Sequence, residues 1–230
     1  MDEDQLYSLA IETSGRAGSV SLGRGDALLG TEQVGQRRHA VGLMPAIERL
    51  CEAHHVAREQ LAEVYVSVGP GSFTGLRIGI TTAKVLGWSL GCKLVAVETL
   101  QVVAANAPAE AERVAVCLNA KAGRYFAGLF ERDEAGHLQS LAEPRLLTMA
   151  EVLAEAGRPV VVVGDRLEKV EAEGVTYLEG EAAEARSEVV WGLGREAARQ
   201  GRFVEAMALK PRYVRMPEAE EVWRHRQAEV

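Results

Sequence analysis

The chain is short of cysteine. Cys51, Cys92 and Cys117 are odd in number, far apart and without a C-x-x-C pair. That argues against a disulfide framework and a thiolate zinc site, and leaves three small buried apolar residues. Long apolar runs are absent too: no window approaches the roughly 18 to 20 apolar residues of a membrane span, and the opening MDEDQLYSLA has no basic segment ahead of an apolar one. A soluble, cytoplasmic protein with no membrane partner is the expectation. Positive charge is in deficit, with 26 Lys and Arg against 33 Asp and Glu, a net charge of -7. Non-specific nucleic-acid binding rests on counterion release by a broad cationic surface, so any role with RNA requires a partner protein. Basic residues gather only locally, around Arg37, Arg38 and His39 and again at Lys210, Arg212, Arg215, Arg224 and Arg226, where solvated surface is the expected role.

What is present is enough for a folded core: 47% hydrophobic and 26% charged residues, in a length of 230 that suits one large domain or two small lobes. Strands are expected at Leu6 to Ile11, Ala17 to Leu22 and Ala27 to Gln33, the last two joined by the Gly23-Arg24-Gly25-Asp26 turn. Val41, Leu43, Met44, Ile47, Leu50 and Cys51 recur at helical spacing over Ala40 to His54, with Pro45 near the start. A strand at Val64 to Val68, a helix from about Thr74 to Leu90 and a strand at Lys93 to Val97 follow. The order β-β-β-α-β-α-β predicts an α/β lobe with a mixed sheet. Pro108 to Arg113 is the candidate boundary. Beyond it, paired strands at Val114 to Asn119 and Arg124 to Glu131, a helix near Met149 to Ala156 and a strand at Val160 to Val163 repeat the first half in abbreviated form. The expected division is residues 1–107, 108–215 and a surface tail helix at 216–230, with a further helix at Ala183 to Gln200.

The main chemical signal is a Gly-rich strand-to-helix turn, GPGSFTG at residues 69–75, comprising Gly69, Gly71, Ser72, Thr74 and Gly75, with Arg77 just beyond. Such a turn lets backbone approach a ligand and presents helix N-terminal N–H groups to an anion such as phosphate. Gly75-Leu76-Arg77 stands where a Walker A loop needs Gly-Lys-Ser/Thr, so that motif is absent. A near match to the dinucleotide fingerprint, with Glu98 toward the ribose, leaves a nucleotide- or dinucleotide-dependent enzyme as one alternative; tight turning and close helix packing is the other. Arg77 in the first helical turn calls for a facing anion or carboxylate. Glu12, Thr13 and Ser14, at the end of the first strand, stand where phosphotransfer folds place an acid and hydroxyls around metal-bound phosphate, or else form a turn. No H-E-x-x-H, G-x-S-x-G or Ser-His-Asp set can be assembled, so no catalytic or metal residues are assigned.

Four blocks together resemble a known family. They are LAIETS at residues 9–14; His39 followed by Leu43-Met44-Pro45 and Ile47; GPGSFTGLRIGITTAKVLG at residues 69–87; and LKPRYVR at residues 209–215. The chain is similar over nearly its whole length to the bacterial TsaB (YeaZ) proteins, which take part in making threonylcarbamoyladenosine in tRNA. The catalytic paralogue, TsaD, shares the Gly-rich block in looser form, but its His-x-x-x-His metal pair falls where this chain has Thr99 and Val103. The resemblance implies a two-lobed actin-like ATPase (ribonuclease H-like) fold with an abbreviated second lobe. It implies a non-catalytic activator that binds TsaD and works with the ATPase TsaE, meets tRNA only through that complex, and forms a homodimer when alone. It implies no resident cofactor, leaving room for ATP or ADP held weakly or at a shared interface. Two helices are implied to dock the partner, through His39, Leu43, Met44, Ile47, Leu50 and Cys51 on one and Leu76, Ile80, Ala83 and Leu90 on the other.

Overall fold

The computed structural model describes residues 5–36 and 39–214. Strands β1 (Tyr7–Glu12), β2 (Ala17–Arg24) and β3 (Ala27–Gln36) form an antiparallel meander. Helix α1 (His39–Ala53) leads to β4 (Leu61–Gly69), α2 (Phe73–Leu90) and β5 (Lys93–Glu98), and both strands run parallel to β1. The resulting sheet has the order β3-β2-β1-β4-β5. After α3 (Thr99–Ala104) come β6 (Arg113–Asn119), β7 (Tyr125–Arg132), β8 (Leu138–Ser140), β9 (Arg145–Leu147), α4 (Met149–Glu155), β10 (Val160–Gly164) and β11 (Val175–Leu178). The second sheet runs β11-β10-β6-β7-β8. Counted outward from its own first strand it repeats the first sheet: two antiparallel neighbours on one side, two parallel ones on the other. This doubled arrangement is that of the actin-like ATPase fold, and β9 adds a sixth strand to the second sheet by pairing with β7.

Alternation along β1 decides the layering. Leu9 and Ile11 face one side, where they meet Leu43, Ile47 and Leu50 of α1 and Leu76, Ile80 and Ala83 of α2. Ala10 faces the other side together with Tyr65, Val95 and Val97, and that face is covered by the last helix, α5 (Ser187–Arg199), through Val190, Trp191, Ala197 and Ala198. Each fully buried Leu or Ile contributes about 1.5–3 kcal/mol, so this two-sided burial dominates the stability of the first sheet. The second sheet is covered by α4 on one face and by α3 on the other. Helix ends follow local chemistry: Ser72 Oγ accepts the Gly75 N–H at 3.2 Å to start α2, which stops at Gly91 in the left-handed region, and Thr148 and Glu151 make a reciprocal capping box on α4. All three cysteines are buried, and burial pushes the Cys117 thiol up to about 12.

Several expectations need adjustment. Pro45 is the seventh residue of α1, inside the helix rather than near its start. The helix expected at Ala183 to Gln200 begins at Ser187, and a short 3-10 turn covers Gly180–Ala183. Residues 187–209 pack on the first sheet: α5 covers its outer face and Leu209 enters its inner core. The expected tail helix at 216–230 lies outside the described residues.

Helix α5 is tied to the sheet by polar contacts as well. Trp191 Nε1 donates to Ser8 Oγ at 2.9 Å, and Ser187 Oγ lies 2.7 Å from Ser21 Oγ. Arg195, 6% exposed, places Nη1 3.8 Å from Oε2 of Glu63, itself 4% exposed, and Nε 3.4 Å from Asp26 Oδ1. The same Glu63 oxygen accepts from Tyr65 Oη, and burial followed by this bond pushes the tyrosine pKa well up. A buried charge that loses its partner costs about 3–5 kcal/mol. Arg195→Met therefore destabilises the protein by about 3 kcal/mol in urea denaturation. In a Glu63→Gln background the cost of Arg195→Met falls by more than half, because no buried anion remains; equal costs in both backgrounds would exclude the pairing.

Candidate functional site

The Gly-rich turn lies between β4 and α2, beside the end of β1 and the C-terminal segment. Gly69 has φ of +113°, a conformation that favours glycine, and a Cβ there would lie 2.8 Å from the Arg212 carbonyl oxygen. At Gly75 an added Cβ would sit 1.9 Å from the Thr13 carbonyl oxygen, and at Gly71 one would sit 2.6 Å from that of Ser14. The turn and the first strand are therefore in backbone contact, held by Ser72 N–H to the Ser14 carbonyl at 2.7 Å and Thr13 Oγ1 to the Gly75 carbonyl at 2.8 Å. Of the alternatives open from sequence, close packing of helix on sheet accounts for these glycines.

Glu12 and its neighbours are likewise turned inward. Glu12 is wholly buried; its Oε1 accepts from Ser14 N–H at 2.5 Å and Ser14 Oγ at 2.6 Å, and its Oε2 accepts from Ser67 Oγ. A carboxylate at 0% exposure is tolerated only when its lone pairs are satisfied, and these donors satisfy them. Of the two hydroxyls expected beside a metal-bound phosphate, that of Ser14 thus points at Glu12 and that of Thr13 at the Gly75 carbonyl.

Among the described residues, Arg77 meets neither anion nor carboxylate. Its guanidinium stacks 3.8 Å from the Phe73 ring centroid, and Nε donates to Tyr213 Oη at 3.1 Å. Phe73 and Tyr213 stack with centroids 5.0 Å apart. The C-terminal segment is strapped across the turn: Leu209 is 2% exposed in the first core, and Arg212 N–H donates to the Val68 carbonyl at 2.7 Å. The Arg212 guanidinium bridges Glu98 Oε1 at 2.9 Å and Glu143 Oε2 at 3.3 Å. Glu98, considered for a ribose contact, thus has one oxygen committed to Arg212, and Arg212 is not the unattached surface cation expected from its charge cluster. The LKPRYVR block is legible in sequence, but its place against the Gly-rich turn is a long-range contact that local pattern does not encode.

The expected docking residues divide sharply. Leu43, Ile47, Leu50, Cys51, Leu76, Ile80 and Ala83 are all below 9% exposed and form the chain's own core, so they are corrected from surface to interior. His39 begins α1. Leu90 is half-buried against the same core, and Met44 is 53% exposed. The outward apolar residues are others: Val41 beside Met44 on α1, and Val85 and Trp88 on α2, where Trp88 is 90% exposed. The signal was present as i, i+3 pairs off the inward stripe, but on α2 Val85 and Trp88 share their side with Arg77, Thr81 and Lys84, so the stronger apolar stripe at Leu76, Ile80 and Ala83 drew the assignment.

The Gly75 contact has a measurable consequence. Gly75→Ala forces a methyl into the Thr13 carbonyl and lowers unfolding free energy by about 3 kcal/mol, whereas Thr74→Ala, on the exposed side of the same turn, changes it by about 0.5 kcal/mol or less. A Gly75→Ala protein as stable as the parent in urea would mean that the glycine serves something other than packing.

A family model described as tRNA N6-adenosine threonylcarbamoyltransferase, TsaD, matches residues 33–220. The tRNA threonylcarbamoyladenosine biosynthesis protein TsaB of Bacillus subtilis is 32% identical over 229 residues, covering 94% of this chain and 96% of that protein. The tRNA N6-adenosine threonylcarbamoyltransferase of Streptococcus suis is 30% identical over 177 residues, but the match spans 52% of its length. Among solved structures, YeaZ from Pseudomonas aeruginosa superposes with a TM-score of 0.77 at 26% identity, over 91% of this chain and all of that one.

Proposed function

We propose a function from one premise: the chain belongs to the TsaB (YeaZ) family of tRNA threonylcarbamoyladenosine biosynthesis proteins. The chain acts as a non-catalytic activator. It binds the catalytic paralogue TsaD and, with the ATPase TsaE, enables transfer of threonylcarbamoyl to the adenosine beside the anticodon. It does so in the cytoplasm and meets tRNA only within the complex. The observation that carries this reading is the apolar outer surface of α1 and α2, with Val41, Met44, Val85 and Trp88 exposed on helices whose inner faces are already buried. A tryptophan at 90% exposure has no role inside the monomer, and large exposed aromatics are the residues most enriched at the centres of interfaces. The same surface pairs two copies when TsaD is absent.

Three features favour an activator over an enzyme. Thr99 and Val103 replace the metal-binding histidine pair expected of TsaD, and both are buried. The Gly-rich turn is packed against Thr13, Ser14 and Arg212, and Glu12 is enclosed by Ser14 and Ser67. The match to the Streptococcus suis transferase also covers only 52% of that protein. ATP or ADP, if engaged, is held weakly or at the surface shared with a partner.

The decisive measurement is reconstituted threonylcarbamoyl transfer to tRNA by TsaD and TsaE, with and without this chain, read by nucleoside mass spectrometry. Modification is expected to require the chain. Trp88→Glu is expected to weaken co-elution with TsaD at least tenfold while leaving the urea transition within about 0.5 kcal/mol of the parent, since the side chain is exposed. By contrast Leu50→Arg or Ile80→Glu unfolds the protein, because both positions are core. Modification that proceeds equally without the chain would overturn the activator role, and full binding by a folded Trp88→Glu variant would overturn the choice of surface.

A further inference from the structure

A cavity of about 340 Å³ lies on the α5 side of the first sheet, between that helix and the β7–β8 hairpin. Its apolar lining comes from Val97, Leu138, Leu193 and Ala197, and its charged lining from Arg132, Arg202 and Glu196. Two guanidinium groups thus face one carboxylate, in a chain whose net charge is -7. Arg132 is fixed in place without being neutralised. Its Nε donates to the Ala111 carbonyl at 3.0 Å, Nη1 to that of Gly136 at 2.7 Å and Nη2 to that of Pro108 at 3.2 Å. These partners are neutral, and among the described residues no carboxylate pairs with it. Arg202 stands just past the end of α5, where its main-chain N–H donates to the Ala197 carbonyl at 3.0 Å. Its guanidinium has neither a hydrogen bond nor an ion pair among the described residues. Glu196 is engaged instead with Gln200, whose Nε2 donates to Oε1 at 3.3 Å.

We propose that this cavity binds a small organic monocarboxylate, with Arg202 gripping the carboxylate, Arg132 adding fixed positive charge, and the apolar body lying against Leu138, Leu193 and Ala197. A guanidinium presents paired N–H donors that match the two oxygens of a carboxylate, and Arg202 has all of its donors to offer. The excess of one positive charge in the lining suits a monoanion, and a cation is disfavoured by the same balance. The apolar lining favours a ligand with a hydrocarbon body over a small inorganic ion. The volume is at the small end of ligand pockets, roughly 300–1,000 Å³, and suits a single-ring molecule. This inference goes beyond the activator role and is tested without TsaD.

The test is an NMR titration of the full chain at constant ionic strength with sodium benzoate, against benzamide as the neutral counterpart and sodium acetate as the anion without a ring. Saturable shifts are expected at the Gly136, Leu138, Leu193 and Ala197 amides, with benzoate binding at least tenfold tighter than either comparison. Arg202→Gln is expected to remove the preference for benzoate over benzamide. Because the Arg202 side chain ties no other element down, this variant is expected to keep the parent's urea transition. Ala105→Trp, at an exposed position on the cavity wall, fills the space without touching a charge and is expected to weaken benzoate at least tenfold. Equal affinity for benzoate and benzamide, or an unaltered preference in Arg202→Gln, would refute the carboxylate contact. Equal affinity for benzoate and acetate, or full binding by Ala105→Trp, would refute the cavity as the place of binding.

Discussion

The structure depends on how closely the start of α2 approaches the end of β1. With backbone against backbone at Gly75 and Thr13, the helix lies low over the sheet, and Leu76, Ile80 and Ala83 reach the same core as Leu9 and Ile11. A side chain at Gly75 would lift the helix and open that core along its length. The approach also fixes the chemistry of the turn. Ser72 caps the helix, the Ser14 carbonyl takes the Ser72 N–H, and the strand end turns the Ser14 hydroxyl onto Glu12 and the Thr13 hydroxyl onto the Gly75 carbonyl. A sequence pattern that in related folds admits phosphate here brings the helix start into backbone contact with the first strand.

The C-terminal segment depends on the same geometry. Because Gly69 carries no side chain, the backbone at Arg212 can cross the turn, and Tyr213 can stack on Phe73 beneath Arg77. Arg212 then reaches Glu98 at the end of the first sheet and Glu143 in the connection between β8 and β9. Glu143 is largely exposed and that contact contributes little, whereas Glu98 is mostly enclosed and its contact matters more. One short segment thus touches the turn, the first core and the second sheet's loop.

Much of this was legible in the sequence. The first three strands, the two long helices and the central strands of the second half follow from alternation and helical spacing, and the family blocks supplied the doubled architecture. Three kinds of feature escaped. Strands β8, β9 and β11 are three or four residues long and carry too few residues for a period. Helix α3 is buried on nearly every side, so its sequence has no polar face to betray it. The residues expected on the surface of α2 are another case: the strongest apolar stripe is visible in sequence, but only tertiary contact shows that Leu76 and Ile80 are spent on the core while Val85 and Trp88 are not. The glycines illustrate the converse. Their spacing was visible, but whether they made room for a ligand or for Thr13 was a question about atoms far apart in the chain.

The placement of α5 and Leu209 has a consequence for how the molecule is made. The first sheet is composed of residues made well before those that finish it: its outer face is roofed by residues 187–199 and its inner core is completed by Leu209. Until those late segments emerge, Ala10, Tyr65 and Val95 have no cover, and Glu63 has no Arg195. Maturation of that sheet therefore waits for the synthesis of residues 187–209, and a nascent chain stalled before them would carry an exposed apolar sheet face for chaperones to shield.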